Sequence, residues 1–373
     1  MNGTRGSAER KLRVAVLMGG PSPERDVSLS SGQRVIGAID PQRYDVLPVE
    51  ITRDGKWLPR PDLLRLGSPG GAPQQGAPPV SPASPTPTSL TPRRADEVVG
   101  EGAVDVAFIA MHGPYGEDGT VQGLLELLGV PYTGSGVLAS ALAMDKLRSR
   151  QVCQAYGLPF PAFVTVDGGA WPGNRAEVLA QVGRDVGFPC VVKPNALGSS
   201  IGVTIVRAED GLVPAVERAL EYGEIVLAEE YIRGTELTCA VLEDPETGVA
   251  KPLPVVEIVP KREFFTYEAK YEPGASDEIV PARIGDAVAR QAQQLALRAH
   301  RALGCEGLSR VDMFLRDGKI ILLEVNTIPG LTAGSLLPRA AAAAGIDFPD
   351  LVGRVIGAAL RRERARNRRG RGH

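Results

Sequence analysis

Residues 308–330 read LSRVDMFLRDGKIILLEVNTIPG, and they constrain this chain more than any other stretch. Two apolar runs flank Asp317-Gly318, a dipeptide that favours a tight hairpin turn. The second run carries Glu324 and Asn326 two positions apart, so both side chains leave the same face of a strand. With a three-residue loop, Asp317-Gly318-Lys319, Arg316 pairs with Ile320, Asp312 with Glu324 and Arg310 with Asn326, and opposed residues share a face. A strict two-residue turn would instead separate the two carboxylates unless a bulge intervened, and the polar pattern favours the first register. Two carboxylates facing each other in an apolar ribbon are unfavourable without a cation. Oxygen donors without Cys or His point to Mg²⁺ or Mn²⁺, and two such ions commonly neutralise a transferring phosphoryl group. The competing reading is a surface hairpin whose acids are neutralised by Arg310.

Composition narrows the rest. A chain of 373 residues suits two or three domains. Lys and Arg number 42 against 44 Asp and Glu, so there is no basic signature for nucleic acid. The basic run at 361–373 reads as a disordered solvated tail. No apolar stretch is long enough to span a bilayer, and the N-terminus lacks a secretory apolar core. Cys153, Cys190, Cys239 and Cys305 are scattered, which fits a reducing cytoplasm and argues against a zinc site or disulfide framework.

Strands at 12–20 and 104–113, with a helix at 28–39, suggest a parallel α/β unit. Between them the Pro-, Gly- and Ser-rich segment 67–94 reads as a disordered insertion. Beyond 135, a helix at 145–157 precedes strands at 189–194, 203–206 and 225–232, with helical segments at 178–183 and 212–220. A third region carries strands near 237–242 and 253–258 and a helix at 287–303 with an apolar stripe. The expected units are 1–134, 135–229 and 230–360.

VVKPNALGSSIGVTIV (191–206) ends one strand in Lys193 and places a Gly/Ser loop before the next. Its backbone N–H groups can wrap phosphate oxygens, and the lysine adds a point charge. The pattern is not a Walker A loop, and strands on both sides predict a hairpin flap. In LAEEYIRGTEL (227–237), Glu229 and Glu236 flank an apolar hinge and can accept hydrogen bonds from amino and hydroxyl groups such as those of adenosine. The glycines at 19–20 lack the third glycine of a dinucleotide fingerprint, and Pro21 and Pro23 would distort that turn, so NAD is rejected.

Taken together, GGPSPERDVSLSSG (19–32), HGPYGEDGTVQGLLELLGVPYTGSG (112–136), MDK (144–146), KPNALGSSIG (193–202), YEAKY (267–271) and the hairpin resemble the D-alanine–D-alanine ligases of the ATP-grasp superfamily, from about residue 12 to 360. The resemblance implies a three-domain α/β fold: an N-terminal parallel α/β domain, a central α+β domain with the flap, and a C-terminal α+β domain. It implies that ATP phosphorylates one D-alanine and the amine of a second attacks the acyl phosphate, for peptidoglycan precursors. By resemblance, Asp312, Glu324 and Asn326 hold Mg²⁺ or Mn²⁺, two ions, and Lys146, Lys193 and Lys270 contact phosphate. Glu229, Tyr231, Ile232, Glu236 and Phe264 surround the nucleotide. Glu24 binds the first ammonium, linked to Ser199 and Tyr271, with His112 near that substrate. Arg310 and the Gly330 N–H stabilise the oxyanion, and Ser335 and Leu336 hold the second carboxylate. The segment 259–281 is expected to be a lid, the assembly a homodimer, and the location cytoplasmic.

By the same resemblance, Tyr271 implies a dipeptide product rather than the depsipeptide D-alanyl-D-lactate. Gly334 departs from relatives with histidine there, and Leu197 from relatives with an acid in the flap. A ligase using D-lactate and a nucleotide-binding module without turnover are the rival readings.

Overall fold

The computed structural model of the chain describes residues 10–65, 93–261 and 276–370. β1 (Leu12–Gly19) leads through α1 (Arg25–Ala38) to β2 (Tyr44–Ile51), which turns back into β3 (Trp57–Pro59). After α2 (Ala95–Val99) come β4 (Val106–Ile109) and α3 (Thr120–Leu127). The sheet order is β3-β2-β1-β4, with β1 parallel to β2 and β4. β1 is buried from Val14 onward because both faces of a parallel strand are covered.

α4 (Val137–Met144) and α5 (Lys146–Ala155) are separated by Asp145, whose carboxylate accepts the Arg148 N–H at 2.8 Å and starts the second helix. Then come β5 (Phe163–Asp167), α6 (Trp171–Asp185), β6 (Cys190–Pro194), β7 (Thr204–Val206), α7 (Leu212–Leu220) and β8 (Ile225–Glu230). They form an antiparallel sheet in the order β5-β8-β6-β7. Cys190, Val192, Val226 and Ala228 pack on α6 and α7, so the alternation of a strand turns Val191, Lys193, Leu227 and Glu229 the other way.

The third sheet contains β9 (Thr235–Glu243), β10 (Ala250–Pro252), β11 (Val256–Pro260) and β12 (Ser276–Ile279); after α8 (Asp286–Ala302) it adds β13 (Leu308–Arg316) and β14 (Lys319–Asn326). The order is β12-β11-β9-β13-β14, with β10 also on β9. One face packs on α8 and on Ala143 and Cys153 of α4 and α5, so these two helices, grouped by sequence with 135–229, share their core with the third sheet. The chain ends in α9 (Leu336–Ala343) and α10 (Phe348–Gly370). Leu351, Val352, Val355 and Ile356 of α10 share one core with Val14 and Val16 of β1 and with Ala240 and Leu242 of β9.

Three expectations are corrected. Arg316 pairs with Lys319, not Ile320, because Asp317 (φ 51°) and Gly318 (φ 75°) form a two-residue turn. A bulge after Asp312 skips Leu323, which restores Asp312 opposite Glu324 and Arg310 opposite Asn326. The basic tail is not disordered throughout: α10 runs to Gly370, anchored by its apolar stripe. Arg362 donates to the carbonyls of Gly134 at 2.5 Å and Tyr132 at 2.7 Å, and Arg361 meets Glu243 at 3.3 Å. Lastly, the end of the Pro-rich insertion is ordered, since Arg93 bridges to Trp57; residues 67–92 lie outside the described residues.

Candidate active site

Two clefts adjoin along the third sheet. The first, about 1000 Å³, is lined by the flap loop 197–203, Lys146, Lys193, Glu229, Tyr231 and Ile232. The second, about 710 Å³, is lined by Glu24, His112, Arg310, Asp312, Asn326, Gly330, Ser335 and Leu336. Both volumes are of the size expected for small-molecule sites. Ser199, Glu236 and Glu324 line both, so this is where a group held in one compartment can reach the other.

In the first cleft, the Lys193 ammonium lies 2.5 Å from Glu229, whose other oxygen accepts from Arg150. All three are buried, Arg150 completely. Burial favours protonation of Glu229, but Lys193 and Arg150 outweigh it and hold the carboxyl below its usual range. Burial also lowers the Lys193 pKa, against the pull of Glu229. Lys146, the first residue of α5, donates to the Leu197 carbonyl of the flap at 2.6 Å and lies 3.6 Å from Glu324. Arg150 is one helical turn further on, at i+4, a spacing that could have revealed it in the sequence.

On the hairpin, Arg310 grips Asp312 with two bonds of 2.8 and 2.7 Å, a fork geometry particular to arginine. Thr238 donates to Asp312 at 2.6 Å and the Asn326 amide N–H at 3.0 Å, which leaves the Asn326 carbonyl oxygen to coordinate a cation. Two carboxylates and an amide oxygen on one face fit a hard divalent ion. Among the described residues no three His, Cys, Asp or Glu gather as a metal site, so the fit rests on two carboxylates and one amide oxygen.

In the second cleft the Glu24 carboxylate accepts from Ser199 of the flap. The left-handed Gly113 (φ 69°) packs against it, and a Cβ there would lie 2.3 Å from a Glu24 oxygen. His112 has both ring nitrogens engaged: Nδ1 lies 3.1 Å from the Ile328 carbonyl and Nε2 3.0 Å from Ser31 Oγ. A carbonyl only accepts, so Nδ1 carries the proton and Ser31 donates to Nε2. Burial pushes the His112 pKa down to about 4, which keeps the ring neutral. Glu117, a residue outside the sequence-derived set, accepts N–H bonds from Gly113 at 2.8 Å and Ile328 at 3.1 Å. Burial, then the charge of Glu24, raise its pKa to about 8. Ser335 precedes α9 and accepts the Thr332 N–H at 3.0 Å, and Leu336 opens the helix. Phe264, Lys270 and Tyr271, with the centre of the expected lid, lie outside the described residues.

A flap sheet and a second antiparallel sheet closing on a nucleotide-sized cleft, with acidic oxygen donors on the second, define an ATP-grasp enzyme. The family models "D-ala D-ala ligase N-terminus" and "D-ala D-ala ligase C-terminus" match residues 13–135 and 152–357. The chain is 43% identical to the D-alanine–D-alanine ligase of Desulforudis audaxviator over 92% of its own length and 97% of that protein's. It is 44% identical to that of Syntrophobacter fumaroxidans, over 94% and 98%. Among solved structures, the VanG D-Ala:D-Ser ligase of Enterococcus faecalis superposes with a TM-score of 0.77 at 32% identity, covering 94% of this chain and all of that one. The D-alanine–D-alanine ligase of Bacillus anthracis gives 0.73 at 33% identity, covering 95% and 99%. This chain belongs to the D-alanine–D-alanine ligase family.

Proposed function

We propose that this site joins two D-alanines in an ATP-dependent ligation through a D-alanyl phosphate, forming D-alanyl-D-alanine for peptidoglycan precursors. The observation that carries it is the junction of the two clefts at Ser199, Glu236 and Glu324. A carboxylate held in the second cleft meets the terminal phosphate of a nucleotide held in the first. Its oxygen attacks that phosphorus and ADP leaves. The amine of a second D-alanine then adds to the acyl carbon, and the tetrahedral centre collapses with loss of phosphate. Positioning and charge neutralisation are the protein's main contributions.

Lys146 and Lys193, with Lys270 from outside the described residues, are assigned to phosphate. Glu229, Tyr231, Ile232, Glu236 and Phe264 are assigned to the nucleoside. Glu24, through Ser199 and Tyr271, takes the first ammonium. Arg310 and the Gly330 N–H face the oxyanion, while Ser335 and Leu336 hold the second carboxylate. Asp312, Glu324 and Asn326 would hold Mg²⁺ or Mn²⁺, which supplies neutralising charge to the phosphate oxygens. The units 1–134, 135–229 and 230–360 remain the proposed divisions, with α4 and α5 packed on the third sheet and ATP lying between the last two.

A homodimer is supported by Leu127 and Leu138, 88% and 72% exposed on the touching helices α3 and α4. A cytoplasmic location is supported by four buried cysteines, all free. Among the described residues, no helix is long and apolar enough to cross a membrane.

The test is product analysis with ATP, Mg²⁺ and D-alanine, with D-lactate or D-serine added in parallel tubes. Phosphate and D-alanyl-D-alanine in equal amounts, undiminished by either addition, are the expected result. A depsipeptide or D-alanyl-D-serine as main product would reassign the second subsite. ATP binding without phosphate release would withdraw the catalytic roles.

A further inference from the structure

Beyond Asn326 the chain leaves the sheet as Thr327-Ile328-Pro329-Gly330. Ile328 is buried, and Pro329 has no N–H with which to continue a ladder. A buried backbone group without a partner is costly, so the polar groups of Ile328 must be satisfied from elsewhere. Both partners come from one loop of the first sheet's unit. The Ile328 N–H donates to Glu117, and its carbonyl accepts from His112. Glu117 is itself braced by the Gly113 N–H, and His112 by Ser31. Just beyond, the Leu331 N–H donates to Ser31 at 3.3 Å, and the Leu331 carbonyl accepts from Arg34 at 2.9 Å. The turn is thus held from outside on both sides of Gly330.

We propose that Glu117 is a positioning residue for the ligation step: with His112 it fixes both polar groups of Ile328 and thereby places the Gly330 N–H at the tetrahedral centre. The inference rests on the ligase reading above. Glu117 lies on the wall of the second cleft, and its role is assigned through the Ile328 peptide, two residues from Gly330. Its raised pKa agrees with a carboxyl that is shielded from water and close to Glu24. Phosphorylation of the first D-alanine is assigned to the cleft junction, around Lys146, Lys193 and Glu324, so loss of the Glu117 bond should bear more on the second half-reaction than on the first.

This separation provides the test. Glu117→Gln keeps the shape but turns one acceptor oxygen into an NH₂ that faces an N–H donor; Glu117→Ala removes both acceptors. Two rates are measured on the full chain. One is dipeptide formation. The other is D-alanine-dependent positional isotope exchange within ATP, which reports reversible acyl-phosphate formation without ligation. Dipeptide formation is expected to fall at least about tenfold in both variants, while the exchange stays within about threefold. His112 also lies near the first substrate, so the exchange is compared in the Glu117 variants alone; the dipeptide loss in Glu117→Ala/His112→Ala should fall short of the product of the two single losses, because both residues hold one peptide. Parallel loss of both rates would indicate a merely structural role and overturn the proposal, as would unchanged dipeptide formation or multiplicative losses in the double variant. Should the alanine variants unfold, the isosteric glutamine variant carries the comparison of rates. Absence of dipeptide from the unsubstituted protein would instead refute the ligase reading, so the two failures are distinguishable.

Discussion

In the proposed nucleotide cleft, charge is held by charge; around Glu24, His112 and Glu117 in the second cleft, the partners are hydroxyls and backbone groups. Lys193, Glu229 and Arg150 form a buried ionic row on two adjoining strands and a helix. Glu24, His112 and Glu117 meet instead at loops, and their partners are a flap hydroxyl, a ring nitrogen's serine and the peptides of Gly113 and Ile328. A buried ion row is intolerant of losing one member, because an uncompensated charge is left in a low dielectric. A backbone clamp contributes less to global stability but fixes the position of a reacting group. The first region should therefore fail through folding and the second through turnover.

The largest effect is expected at the hairpin wall of the second cleft. Arg310→Met removes a fork-like cation and is expected to lower dipeptide formation by about a hundred- to a thousandfold, measured under saturating substrates. A loss below about tenfold would remove Arg310 from the oxyanion site.

The two sides can then be set against each other directly. Glu229→Gln leaves Lys193 and Arg150 buried without their carboxylate, and chemical denaturation should show a loss of about 3–5 kcal/mol. Its counterpart Ser199→Ala breaks the hydroxyl link from the flap to Glu24. It should cost under about 1 kcal/mol in stability while raising the KM for the first D-alanine about tenfold. Equal stability losses in the two variants would break the comparison.

A pH series tests the neutral side of the contrast. Burial lowers the pKa of His112 and of His300, which lies 2.8 Å from Ser309, to about 4. In the unfolded chain each returns to about 6.5 and binds a proton first. Their contribution is therefore full above pH 6.5 and is lost as pH falls toward 4, on the order of 3 kcal/mol per histidine. Glu117 has the opposite sign: its raised pKa favours folding at low pH, and that contribution fades between about 4.5 and 8. Because the Glu117 contribution opposes theirs, the series is run in Glu117→Gln, where midpoints that do not fall between pH 7 and pH 4.5 would show that the histidines are not buried as neutral rings.

Much of the nucleotide side was legible in the sequence because it is local. Lys193 and the flap loop follow one another, and Glu324 and Asn326 announce a shared face by a spacing of two. The hairpin shows where legibility stops. The pairing of Asp312 with Glu324 was readable, but the route to it was not: a two-residue turn with a bulge replaces the wider loop. A bulge leaves no reliable signature in composition, since Leu323 is as apolar as its neighbours. The tail misled for a related reason. Its arginines read as solvated until α10 brought Arg361 and Arg362 against Glu243 and the carbonyls near Gly134.

By itself the sequence determined the strand and helix faces, the family motifs and most of the residues that line the two clefts. These depend on periods of two and about four residues, which any stretch of chain displays. Only the tertiary structure decided that α4 and α5 back the third sheet, that Arg150 completes the buried ionic row, and that Glu117 clamps Ile328. Glu117 and Ile328 are 211 positions apart, and the group that Glu117 binds is a backbone N–H, which every residue but proline possesses. No side-chain pattern can mark such a partner; only folding brings one N–H among hundreds to that carboxylate.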